Sequence, residues 1–225
     1  MINSRLPVTI VTGFLGSGKT TLLRHLLVKS KKRLAVMINE FGDIGLDGDL
    51  IRSCQFCPEE ELECRLIELN NGCLCCTVQE DFLPTMEKLL NVGKKLDGIV
   101  IETSGLALPM PLLKALEWPS IKSKVHINGV VTLVDGEALS SGSPVCDINL
   151  IEKQRKDDPN LDHLSTIDEL FKDQLKSADL ILISRSDLIS KDQITEISND
   201  LLTKARDCTR VIPVSKGNID PEIIL

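Results

Sequence analysis

The stretch Gly13-Phe14-Leu15-Gly16-Ser17-Gly18-Lys19-Thr20 has the full G-x-x-x-x-G-K-[ST] spacing of a phosphate-binding loop. An apolar run, Leu6 to Val11, precedes it and reads as a buried strand, and Thr20 to Val28 follows it and reads as a helix. That strand–loop–helix context is what a phosphate cradle requires. Gly13, Gly16 and Gly18, with Ser17 among them, let backbone N–H groups turn inward to face phosphate oxygens. The helix N-terminus adds partial positive charge at the same place. Lys19 is spaced to reach the β- and γ-phosphates and Thr20 to bind Mg²⁺, and Thr21 is expected among the nucleotide-binding residues. The stretch therefore predicts a nucleoside triphosphate site.

Outward from this loop, apolar strand-like runs recur at Leu34–Ile38, Gly98–Ile101, Gly129–Val134, Leu180–Ile183 and Val211–Val214. Helical patterns fall near Glu80–Val92, Met110–Glu117, Thr166–Ser177 and Lys191–Ala205. Continuous β-branched runs separated by helices predict an α/β fold, a mainly parallel twisted sheet with helices on both faces. Ligands then gather at the carboxyl ends of the strands. Two polar stretches, Phe41 to Cys64 and Ser140 to Ser165, read as irregular, and Pro221 to Leu225 reads as a helix just starting.

The chain has 225 residues and 42% hydrophobic content, which suits one large α/β domain, or one domain plus the beginning of another. Its formal charge of -7 argues against a general nucleic-acid binder, which carries a basic face. The basic run Lys29 to Arg33 is the solvated end of the first helix. No apolar run is long enough to span a bilayer, and no membrane partner is expected. Leu6 to Leu15 resembles a short signal core, but cleavage there would destroy the phosphate loop, so a cytoplasmic location is expected. In that reducing setting, eight cysteines favour metal or redox chemistry over structural disulfides.

The strand ending Ile99-Val100-Ile101-Glu102 runs into Thr103-Ser104-Gly105. An acid there contacts Mg²⁺ directly or through water, and Gly105 can offer its N–H to the γ-phosphate. Asn39-Glu40-Phe41-Gly42-Asp43 follows the second strand and places Glu40 and Asp43 where a switch segment meets Mg²⁺. Ser184-Arg185-Ser186-Asp187 stands where a guanine-reading N-K-x-D motif belongs. A buried Asp187 would pair with guanine N1–H and the exocyclic amine and be left unpaired by adenine, which favours GTP. Arg185 is placed to cover the base or ribose with its planar head, and Ser215 of Val214-Ser215-Lys216-Gly217 to add contacts at the base edge.

Cys73-Leu74-Cys75-Cys76 packs three thiols into four residues, a donor set suited to Zn²⁺ or Co²⁺. A second reading is specific. Cys54-x₂-Cys57 and Cys73-x₂-Cys76 together fit a closed, structural zinc ribbon, with Cys75 left over. Cys64, Cys146 and Cys208 carry no motif and read as ordinary residues. His25, His126 and His163 are isolated, and a lone His is seldom a ligand.

Taken in order, G-F-L-G-S-G-K-T-T-L, N-E-F-G-D-I-G-L-D, E-L-N-N-G-C-L-C-C-T-V and E-T-S-G-L-A-L-P resemble the CobW (COG0523) family of P-loop metal-chaperone GTPases. The resemblance runs from about Leu6 to the end of the chain. It implies a SIMIBI-like G domain over residues 1–225, with the family's C-terminal α+β domain absent. It also implies GTP hydrolysis with Mg²⁺, resting on Lys19, Glu102 and Asp43. Cys73, Cys75 and Cys76 would carry the metal, while Thr20, Glu40 and Glu102 hold Mg²⁺. Features shared with the cobalamin-linked branch imply Co²⁺ delivery to a client metalloprotein, cobalt chelatase. A zinc chaperone of the same family, or a P-loop kinase with a structural zinc, are the alternatives. The expected assembly is a monomer, or a dimer dependent on nucleotide or metal. With no evident catalytic Gln or Arg finger, slow intrinsic turnover is expected.

Overall fold

Strand β1, Leu6–Thr12, runs through the middle of the sheet, and its last five residues are buried. The computed structural model describes residues 5–38, 66–68, 82–92, 96–157 and 165–225. After β1 come α1 (Lys19–Lys29), β2 (Leu34–Ile38), β3 (Leu66–Glu68), α2 (Leu83–Val92) and β4 (Gly98–Glu102). Then follow α3 (Pro109–Leu116), α4 (Pro119–Lys122), β5 (Val125–Asp135), α5 (Gly136–Ser140), α6 (Ile148–Asp157) and α7 (Ile167–Ser177). The chain continues with β6 (Leu180–Ser184), a 3₁₀ turn at Ser186–Leu188, α8 (Lys191–Lys204), β7 (Arg210–Pro213) and α9 (Pro221–Ile224).

Among the described residues the sheet has seven strands in the order β3-β2-β4-β1-β5-β6-β7. Every pairing is parallel, as the β-branched, doubly buried runs require. Alternate residues feed opposite faces. Val11, Val36, Val100, Leu133 and Leu182 pack with Leu22, Leu23 and Leu26 of α1. On the other face, Ile10, Met37 and Ile101 pack with Met86, Leu89, Leu112 and Leu116 of α2 and α3. Ile181 and Ile183 continue that face against Leu170, Phe171 and Leu175 of α7 and Ile197 and Leu201 of α8. Each such buried Leu or Ile contributes about 1.5–3 kcal/mol.

The structure departs from the sequence reading in three places. β3 adds an edge strand that three residues are too short to announce. β5 begins at Val125 rather than Gly129, because Leu6, Pro7 and Val8 pair with Val125, His126 and Ile127 before a register shift between Val8 and Thr9. Within the stretch read as irregular lies helix α6, whose Ile151 is buried in the α7–α8 core. The helix just starting at Pro221 is present as α9. It is tied down when Thr9 Oγ1 and Asn128 Nδ2 both donate to the carbonyl of Ile224, at 3.0 Å each. His25, on α1, reaches the carbonyl of Ile219 at 2.8 Å, a packing contact. No helix among the described residues is long and apolar enough to cross a membrane.

Candidate functional site

Strand β1 ends at the phosphate loop, next to the point where the sheet's connections diverge to either side of it, the ligand position of open parallel sheets. Gly13, Gly16 and Gly18 carry φ of 135°, 78° and 100°. At Gly13 the need is also spatial: a Cβ would stand 2.3 Å from the carbonyl oxygen of Leu133 on β5. Lys19 is buried, 6% exposed, and its ammonium donates to the carbonyls of Gly13 at 2.8 Å and Phe14 at 3.2 Å. The lysine is thus folded over its own loop. The Ser17 hydroxyl is buried and has no hydrogen-bond partner among the described residues. Thr20 and Thr21 are exposed on the first turn of α1. A cradle of left-handed glycines, a cation held at its centre, an orphaned hydroxyl and an accessible threonine at a helix N-terminus fit a nucleotide's phosphates with Mg²⁺.

Glu102 closes β4 beside this loop. It is 2% exposed and lies in register with Val11 of β1 and Ile38 of β2. Thr103 continues the join: its N–H donates to the carbonyl of Val11 at 2.9 Å and its hydroxyl to Thr12 Oγ1 at 2.9 Å. Gly105 has a reason the sequence reading did not supply. A Cβ there would stand 2.6 Å from the backbone nitrogen of Leu15, so only glycine lets this loop lie against the phosphate loop.

The base motif is placed beside the phosphate loop by β6. Ser184 lies against Gly18, within 3.6 Å of where a glycine Cβ would sit, and donates its hydroxyl to the carbonyl of Val134 at 3.1 Å. The Ser215–Gly217 loop joins it: Ser186 N–H donates to the carbonyl of Val214 at 3.3 Å, and Gly217 rests on the backbone of Thr21 and Leu22. Asp187 is exposed rather than buried, because it sits on a 3₁₀ turn that projects beyond β6. A hydrogen bond from the Ser215 side chain, with Lys216 nearby, holds its carboxyl below the usual Asp range. The two residues expected at the base edge are therefore paired with each other, and the acid expected to be buried is an exposed carboxylate held in its ionised form.

Arg185, expected to cover the base or ribose, makes its contacts with the protein itself. It adopts φ 52° and directs its head toward Asp135, the 96%-covered acid that ends β5. Its Nη1 donates to Asp135 Oδ2 and to Cys146 Sγ, the latter at 3.0 Å, and its Nη2 approaches the carbonyl of Gly16 at 3.4 Å. Asp135 also caps α5, accepting from the N–H groups of Glu137 and Ala138. Cys146, read as an ordinary residue, donates its thiol to Asp135 Oδ2 at 2.7 Å. Partial burial and Asp135 push its pKa up. Arg185 and Cys146 line a cavity of about 690 Å³ with Glu137, Ser143 and Asp147. The signal for Asp135 was present: an apolar strand ending in an acid, the same pattern that marks Glu102.

Glu40, Asp43, Cys54, Cys57, Cys64, Cys73, Cys75 and Cys76 lie outside the described residues. Among the described residues no group of three His, Cys, Asp or Glu side chains is arranged to hold a metal ion, and Cys146 and Cys208 are free thiols.

Comparison with known proteins follows the same lines. The family model for the CobW/HypB/UreG nucleotide-binding domain matches residues 7–213. A protein of Pseudomonas aeruginosa named "Zinc chaperone CobW" is 44% identical over 99% of this chain and 60% of its own length. A protein of the same name from Sinorhizobium sp is 45% identical over 98% of this chain and 62% of its own length. The chain thus spans about three-fifths of these relatives. Among solved structures, the Zn(II)-bound YjiA GTPase from E. coli shares the fold, with a TM-score of 0.60 at 23% identity over 99% of this chain and 61% of that one. The all-parallel P-loop fold and the family match over most of the chain agree: this chain belongs to the CobW/HypB/UreG nucleotide-binding domain family.

Proposed function

We propose that this chain is the GTP-switched part of a zinc chaperone. The observation that carries the reading is one row of the sheet. Glu68, Ile38 and Glu102 stand in register on adjacent strands β3, β2 and β4, about 5 Å apart per strand. The segment bearing Glu40 and Asp43 departs from Ile38, and the segment bearing Cys73, Cys75 and Cys76 departs from Glu68. Both leave the sheet at the edge where Glu102 meets the phosphate loop.

In this reading Lys19 and the loop N–H groups hold the β- and γ-phosphates of GTP. Thr20, Glu40 and Glu102 hold Mg²⁺, which neutralises developing phosphate charge when bound. Asp43 and the Gly105 N–H face the γ-phosphate, and Asp187 with Ser215 reads the guanine edge. Water attacks the γ-phosphorus and displaces GDP. Loss of the γ-phosphate releases the acid-bearing switch, loosens the thiolate set and frees the ion for a client metalloprotein. The relatives' names favour Zn²⁺ over the Co²⁺ and cobalt chelatase that the sequence resemblance suggested. Thiolate chemistry agrees, since Zn²⁺ outranks Co²⁺ at an unconstrained site.

The test is a competitive Zn²⁺ titration with and without Mg²⁺ and a non-hydrolysable GTP analogue. Nucleotide should tighten Zn²⁺ binding by about 5–150-fold, the range of ordinary allosteric coupling, and Cys75→Ser should abolish the effect. Zn²⁺ binding that ignores nucleotide and depends on Cys54 and Cys57 would establish the structural zinc ribbon instead.

A further inference from the structure

Helix α7 touches both loops that border the phosphate site. Phe171 stacks on Phe14 of the phosphate loop, ring centroids 6.1 Å apart and planes 23° from parallel. One turn later Gln174, 1% exposed, donates its amide Nε2 to the carbonyls of Gly105 at 3.1 Å and Ala107 at 3.4 Å. The backbone carbonyl of Gln174 accepts from Thr132 Oγ1 of β5 at 3.2 Å, which pins this turn of helix to the sheet. Between the two accepting carbonyls, Leu106 is buried in the same cluster as Phe14, Leu170, Phe171 and Leu175.

A polar side chain on the apolar face of α7 requires a reason. Apart from Ser177 at its C-terminal end, the other buried residues of that helix are apolar, and a Leu or Met would fill the space without desolvating an amide. The amide is also only half satisfied: Gln174 Oε1 is buried with no hydrogen-bond partner among the described residues. A buried orphan of this kind calls for an explanation beyond packing. The bonded half grips the loop that the close approach of Gly105 to Leu15 sets against the phosphate loop.

We propose that Gln174 is a positioning residue for the terminal phosphate: it fixes the Gly105–Ala107 loop and passes the difference between triphosphate and diphosphate to helix α7. The inference rests on the nucleotide-switch reading above and names the element that carries the switch away from the site. Diphosphate binding depends on the phosphate loop, whereas the hydrogen bonds that the Gln174 side chain donates go to Gly105 and Ala107. Triphosphate binding also depends on that Gly105 loop. Gln174 therefore affects one ligand and spares the other.

The experiment compares fluorescent GDP and a fluorescent non-hydrolysable GTP analogue, both with Mg²⁺, on the wild-type chain and Gln174→Met. The expected result is an analogue affinity weaker by about tenfold, the effect of losing a backbone-gripping hydrogen bond, with GDP affinity changed less than about twofold. Equal loss for both ligands, or for neither, would overturn the proposal. Hydrogen exchange on the wild-type chain gives a second reading that no folding defect can disturb. Peptides covering 103–109 and 170–178 should both gain protection with the analogue relative to GDP, and no difference in the 170–178 peptide overturns the relay. If the wild-type chain binds neither nucleotide, the nucleotide-switch reading itself falls, a different outcome from any of these.

Discussion

Asp135 and Arg185 are joined at the carboxyl ends of adjacent strands: the carboxylate that caps α5 also receives the guanidinium of the base motif. The pair connects three things the sequence lists far apart, namely the Gly16 carbonyl, the end of β5 and the Cys146 thiol. Asp135 is 4% exposed and Arg185 41% exposed at the side chain, and without the arginine the acid still accepts from the N–H groups of Glu137 and Ala138. Arg185→Ala should destabilise the fold by about 1–2 kcal/mol, less than a fully buried pair because the arginine side chain is 41% exposed. Asp135→Ala should cost more, about 2–3 kcal/mol, since it also removes a helix cap. Urea denaturation of both variants checks the order, and a larger loss for Arg185→Ala would contradict it.

Gly105→Ala forces a Cβ to within 2.6 Å of the Leu15 nitrogen. The contact is with backbone, so neither loop yields cheaply. The expected outcome is a loss of about 1–3 kcal/mol in stability together with weakened nucleotide binding. A variant with wild-type melting temperature and nucleotide affinity would show that the two loops do not lie this close.

Asp187 and Ser215 give a pH signature. The Ser215 hydrogen bond lowers the Asp187 pKa, so the carboxylate stays ionised below the ordinary Asp range, and its small stabilising contribution is present above that range and lost as pH falls through the lowered value. Ser215→Ala should move the Asp187 titration up toward the ordinary Asp value, as followed by NMR of the side-chain carboxyl. An unchanged titration would remove Ser215 from the base edge.

Cys146 should be a slow thiol. Burial and the Asp135 carboxylate raise its pKa, against the opposing pull of Arg185, so less thiolate is present at mildly alkaline pH. Peptide-resolved alkylation with iodoacetamide at about pH 8 should label Cys146 more slowly than an unperturbed thiol of ordinary pKa. Asp135→Asn should speed it. Faster labelling in the wild type than in Asp135→Asn would reverse the assignment.

Much was legible in the chain before any coordinates. The glycine–lysine–threonine spacing of 13–20 specified the phosphate loop, because a phosphate cradle is built from backbone N–H groups and tolerates few residue types at its turns. The β-branched runs specified parallel strands, because only sheets covered on both faces bury both sides of a strand. Glu102, Asp187 and Ser215 were also singled out, as polar residues after such runs, though not the hydrogen bond that joins Asp187 to Ser215.

Contacts between segments distant in sequence were not legible. No local pattern announces that Gln174 grips Gly105 and Ala107, that Arg185 binds Asp135, or that Gly105 is glycine because Leu15 lies against it. Composition and periodicity record what each segment does alone; which side chain meets which is decided when the sheet order brings β4, β1, β5 and β6 side by side. Local chemistry determined that this chain has a nucleotide fold, and only packing decided how its loops are coupled.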